Sequence, residues 1–125
     1  MDAVDVLGID HVLVAAPAGC EAEARSFYGG QLELPELEKP AALRDRGGVW
    51  FACGEQQLHV GVEGEFQPAA KAHPALRVAA GRLDALAERL SSAGSAVVWD
   101  DDLPGVRRFY TADPWGNRIE LCAPD

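Results

Sequence analysis

The chain has 125 residues, 48% of them hydrophobic, which is enough for one cooperatively folding unit with a sizeable core. Twenty acidic side chains against eleven basic ones leave a formal charge of -9, which argues against nucleic acid as a partner. No signal-peptide pattern, basic amphipathic segment or membrane-length apolar run is visible, so a cytoplasmic protein without membrane contact is expected.

Taken in order, LGIDHVLVAA (residues 7–16) reads as a strand that Pro17 and Gly19 close. Cys20, Ala24, Phe27 and Tyr28 recur at helical spacing, and Gly29-Gly30 is expected to stop that helix. Residues 31–46, broken by Pro35 and Pro40, carry no clear period. GVWFACG and QQLHVGV read as two strands joined by a glycine turn, and GEFQPAAKA has the composition of a linker. The order then restarts. HPALRVA is a strand, with Pro74 suited to an edge or first position. Leu83, Leu86, Ala87 and Leu90 mark a helix ending at Gly94. SAVVWD, VRRFYTA and RIEL follow as strands, the last after an Asp-Pro and Gly-Asn turn. Each half is thus strand, helix and about three strands, an internal repeat of roughly 60 residues. Helices kept to one side would leave the opposite sheet face free to line a cavity. The expected class is α+β, with one domain over residues 1–125. Its parts are a first βαβββ module over 7–62, a linker over 63–72 and a second module over 73–122.

Only three histidines occur. His11 and His73 lie in the first strand of each half, while His59 and Glu120 occupy the last strands. The separations match: 48 residues from His11 to His59, and 47 from His73 to Glu120. Strand alternation turns His59 away from Leu58 and Val60, and Glu120, with Arg118, away from Ile119 and Leu121. A carboxylate on an inner face needs a compensating partner. The set is expected to converge on one divalent ion, with His11, His59, His73 and Glu120 as ligands; the bland alternative is scattered core and surface roles. The nitrogen- and oxygen-rich donors suit Zn, Fe, Ni, Co or Mn without choosing among them. Arg77 is in phase with His73, and Arg107 and Arg108 stand on opposite sides of their strand. Arg77, Arg108 and Tyr110 are the candidate substrate-binding residues. The Asp100–Asp102 run is expected to stay solvated. Cys20, Cys53 and Cys122, odd in number and far apart, read as reduced thiols.

DHVLVAA, RSFYGGQLEL, GEQQLHVGV, HPALRVA with LDALAERLSSAG, and above all RRFYTADPWGNRIEL resemble the glyoxalase/bleomycin-resistance/dioxygenase family, the vicinal oxygen chelate superfamily. The likeness covers residues 7–122. It implies two modules forming an incomplete barrel around a metal-binding cavity, with a homodimer as an expected assembly. His11, His73 and Glu120 match the family's ligand positions. His59 stands where glyoxalase I enzymes have Glu and related epimerases Gln. A metal-dependent lyase or isomerase acting on a small oxygen-chelating substrate through an enediolate-type intermediate is implied, with Glu120 as its base. The alternatives are an iron-dependent extradiol-type dioxygenase and a non-catalytic small-molecule binding or resistance protein.

Overall fold

The computed structural model describes residues 4–125. Strand β1 (His11–Ala16) leads into helix α1 (Glu21–Ala24), which widens into a π-type helix over Arg25–Gln31. Strand β2 (Glu36–Leu37) and a 3-10 helix (Ala41–Arg46) fill the segment without a clear period, ahead of β3 (Val49–Cys53) and β4 (Gln56–Val62). The second half runs β5 (Ala75–Arg77), α2 (Leu83–Ser92), β6 (Val98–Asp100), β7 (Val106–Ala112) and β8 (Arg118–Pro124). The expected pair of βαβββ modules is present. Each builds its own four-stranded sheet, ordered β1-β4-β3-β2 and β5-β8-β7-β6, and the two sheets stay open. In both, the first strand pairs in parallel with the last and forms one edge.

Three boundaries differ from the sequence reading. β1 starts at His11 because His11 is the first residue with a β4 partner, Gln57. β5 shrinks to three residues, since Pro74 has no N–H to donate and offers only its carbonyl, to Glu120 N at 3.0 Å. Gly29 and Gly30 do not stop the first helix. A glycine ends a helix by turning left-handed, and neither has a positive φ. The turn instead loosens to five-residue bonding, Leu32 N donating to Phe27 O at 2.9 Å. Gly94 behaves as expected: its φ is 90°, and Ser95 N donates back to Leu90 O at 2.9 Å.

Alternation decides which side of each sheet is buried. Val14, Val49, Phe51, Leu58 and Val60 pack beneath Phe27 and Tyr28, while Phe109, Ile119 and Leu121 pack beneath Leu83, Leu86 and Leu90. The two helical segments also touch: Arg89 Nε donates to Gln31 O and Ser95 Oγ to Gln31 Oε1, both at 2.9 Å. All three cysteines are free thiols, and no helix of the described residues is long and apolar enough to cross a membrane.

Candidate functional site

The faces turned away from the helices carry the polar and aromatic side chains. On the first sheet, β3 places Trp50 opposite His59 of β4, and Leu13 of β1 flanks His59 on the other side. The rings form a three-layer stack. Trp50 lies on His59 at 3.9 Å with 2° between planes, and His11 lies on the other side of His59 at 4.3 Å and 16°. His59 Nε2–H donates to Gln57 Oε1 at 2.8 Å, and His11 Nδ1–H to Asp10 Oδ2 at 2.9 Å. Burial depresses the His59 pKa below its ordinary value of 6.5, and the neighbouring His11 adds to the effect.

This shift has a definite sign. The unfolded chain takes up the proton first, so the stabilisation of neutral His59 is intact above about pH 6.5 and fades as the pH falls through the lower folded value. Urea midpoints measured against pH should decline over that window, and His59→Gln should flatten the slope. An unchanged slope in the variant would show that His59 carries none of it.

On the second sheet the register aligns Ala75 of β5, Glu120 of β8 and Tyr110 of β7, with Arg77, Cys122 and Arg108 in the next such row. Glu120 is buried. Its Oε1 lies 3.0 Å from His73 Nε2, and Arg108 Nη1 stands 3.6 Å from Oε2. His73 Nδ1–H donates to the Lys71 carbonyl at 2.8 Å, which fixes a hydrogen on that nitrogen. The Nε2–Oε1 contact therefore holds one proton, on the imidazole or on the carboxyl. Tyr110 meets His73 edge-on at 5.4 Å, and Arg118 lies over the Tyr110 ring with its guanidinium carbon 3.7 Å from the centroid.

A crystal structure of a Bacillus anthracis protein assigned to the glyoxalase family superposes with a TM-score of 0.94 at 48% identity, over 99% of this chain and 100% of that one. The chain belongs to the glyoxalase/bleomycin-resistance superfamily. Two more distant members share the fold. A glyoxalase/dioxygenase from Nostoc punctiforme is 21% identical with a TM-score of 0.76, covering 99% of each chain. A lactoylglutathione lyase from Agrobacterium tumefaciens is 19% identical with a TM-score of 0.73, covering 96% of each. No protein-family model matches the sequence, and no curated protein does.

The expected convergence of His11, His59, His73 and Glu120 on one divalent ion is not found. Among the described residues of this superfamily member, no group of three or more His, Cys, Asp or Glu side chains is placed to hold an ion. His11 and His59 meet on the first sheet, and His73 and Glu120 on the second, so the four make two pairs. The matched spacings report the internal repeat, which sets equivalent residues at equivalent places on two different sheets. The pairs are also chemically engaged, since His59 Nε2 is spent on Gln57 and His73 Nε2 on Glu120. The charge of Glu120 is compensated by His73 and Arg108, which removes the reason for requiring a cation. The expected metal-binding cavity is thus not formed among the described residues.

Of the other expected site residues, Arg108 lies on the open face, bonded to Asp100 at 3.3 Å, and Tyr110 stands beside it. Asp100 is therefore paired, contrary to the solvated run expected of it. Arg107 points the other way and makes two 3.0 Å bonds to Asp84 of α2. Arg77 is exposed at the sheet edge. The sequence reading passed over Trp50, Gln57 and Arg118 as site residues. Strand phase could have found Arg118, which shares its face with Glu120.

Between the two sheets runs a groove of about 1320 Å3. Ile9, Leu13 and the Gly54–Gln57 turn line one side, and His73, Ala75, Arg77 and Arg118 line the other. A smaller cleft of about 480 Å3 lies around Trp99, Leu103 and Asp125, where the Asp100–Arg108 pair already occupies the polar wall.

Proposed function

We propose that this superfamily member binds a small organic molecule in the groove between β1 and β5. The observation that carries the reading is the groove's composition: apolar Ile9 and Leu13 from the first module and polar His73, Arg77 and Arg118 from the second. Titration with a small-molecule fragment set, followed by backbone amide shifts, tests it. Binders should move Leu13, Gln57, Ala75 and Arg118 together. Binders that shift only the Trp99 cleft, or no residue at all, would remove the proposal.

The one-proton contact between His73, which lines the groove, and Glu120, buried behind it, favours a second, catalytic reading at this end of the groove. A carboxylate held by an imidazole can take a proton from carbon next to a carbonyl and return it elsewhere, the step a lyase or isomerase of this superfamily would need. No metal-dependent step is part of this reading, because the donors among the described residues do not converge. Exchange of deuterium from solvent into a simple α-hydroxycarbonyl compound should be detectable by NMR. Glu120→Gln should slow it by roughly 100-fold or more, the usual contribution of a positioned general base. Equal exchange in both proteins would leave binding as the whole function.

A further inference from the structure

We propose that the ligand of this groove is a small organic anion, a carboxylate, phosphonate or phosphate carrying an apolar body, and that Arg77 and Arg118 receive its charge. The inference rests on the groove reading above and names the class of molecule that enters.

Five other arginines have carboxylate partners: Arg25 with Glu36, Arg44 with Glu38, Arg89 with Glu33, Arg107 with Asp84, and Arg108 with Asp100 and Glu120; Arg46 and Arg82 have none among the described residues, but they lie outside the groove lining. Arg77 and Arg118 have none within 4.0 Å among the described residues, and neither side chain makes a hydrogen bond there. Both line the groove. A guanidinium presents five N–H donors in a planar fork suited to carboxylate and phosphate oxygens. Arg118 is half-buried with its guanidinium carbon 3.7 Å from the Tyr110 ring centroid, held by a cation–π contact that uses none of its N–H donors. Immobilised in this way, it loses little further freedom when it binds.

The charge around these two groups has an uneven distribution. The protein carries -9 overall, yet the open face of the second sheet gathers Arg77, Arg108 and Arg118 against Asp100 and Glu120. Glu120 lies between Arg118 and Arg77 along β8 and β5 but is already engaged by His73 and Arg108. Across the groove the charged lining residues are Glu55 and Glu63. An anion is therefore repelled from the first sheet and drawn to the second, while Ile9 and Leu13 offer it apolar cover. The acidic and basic sides give the ligand one preferred orientation.

Titration with phenylphosphonate, benzoate, inorganic phosphate, benzyl alcohol and benzylamine, read by amide shifts and calorimetry, tests the proposal. Phenylphosphonate and benzoate should bind at β5 and β8 more tightly than the neutral and cationic probes. Inorganic phosphate should bind more weakly than phenylphosphonate, because it lacks the apolar body. Arg77→Gln and Arg118→Gln should each weaken phenylphosphonate by about tenfold, the usual scale for a hydrogen bond to a charged group. Arg107→Gln, whose side chain faces the helix, should leave binding unchanged. If benzyl alcohol binds the groove as well as the anions do, or the double arginine variant keeps full affinity, the anion proposal falls while the groove reading stands. If no probe binds, both fall.

Discussion

Replacing Asp113 by alanine is expected to cost the fold about 3 kcal/mol or more, because four donors lose one buried acceptor group. Asp113 Oδ2 accepts from Tyr28 Oη and Asn117 Nδ2, each at 2.8 Å. Its Oδ1 accepts from the backbone N–H of Trp115 at 3.1 Å and of Asn117 at 2.9 Å. Tyr28 belongs to the first module and Asp113 to the second, and Asn117 Nδ2 also donates to Ala15 O at 2.8 Å. The cluster therefore ties the modules together as well as shaping the turn before β8. Burial and the Asp113 charge push the Tyr28 phenol far above its ordinary pKa, so it remains a donor throughout the accessible pH range. Urea unfolding of Asp113→Ala measures the loss, and Tyr28→Phe, which deletes one donor, should lose less. A change within about 0.5 kcal/mol in Asp113→Ala, the range of an ordinary surface substitution, would show that the cluster contributes little.

Gly48→Ala should be at least as damaging, with a loss above about 3 kcal/mol or failure to accumulate as folded protein. Gly48 has a φ of 86°, and a methyl there would stand 2.1 Å from the Val60 carbonyl oxygen. That oxygen belongs to the residue paired with Val49, so it cannot retreat without opening the β3–β4 ladder. Gly48 N also donates to Glu21 Oε2 at 2.7 Å, which fixes the loop from its other side and lowers the Glu21 pKa. Gly54→Ala is the informative comparison. Its φ is 60° but nothing lies within 4 Å of the added methyl, so only backbone strain of about 1 kcal/mol is expected. Equal losses in the two variants would show that the carbonyl clash is not the cause.

The strands around the site were legible because their alternation is strong. Leu58-His59-Val60 and Ile119-Glu120-Leu121 each state in three letters which side chain faces the helices, and the structure keeps both assignments. The leucine spacing of α2 was equally plain. Convergence in space was not legible. Two halves built alike give the same spacing whether their equivalent residues meet at one point or occupy separate sheets, and His11 with His59, against His73 with Glu120, follow the second case. The partner of Glu120 was hidden for a related reason. Arg108 reaches it from β7, and cross-strand register cannot be read from one strand alone. The Gly29-Gly30 pair misled because glycine marks a helix end only where its backbone turns left-handed, a property of the folded backbone and not of the letters.

No backbone ladder crosses from β1 to β5 among the described residues, and each strand is the rim of its own sheet. The distance between these rims is thus free of the fixed repeat of about 4.8 Å that governs strands within a sheet. It is set by side chains: the Asn117 bridge, the Tyr28–Asp113 bond and the contacts of Gln31 with Arg89 and Ser95. Changes at those few positions can widen or narrow the cleft while both sheets keep all their own bonds. In the proposed binding role, guests of different girth would be met by adjusting this clasp, with the secondary structure left intact.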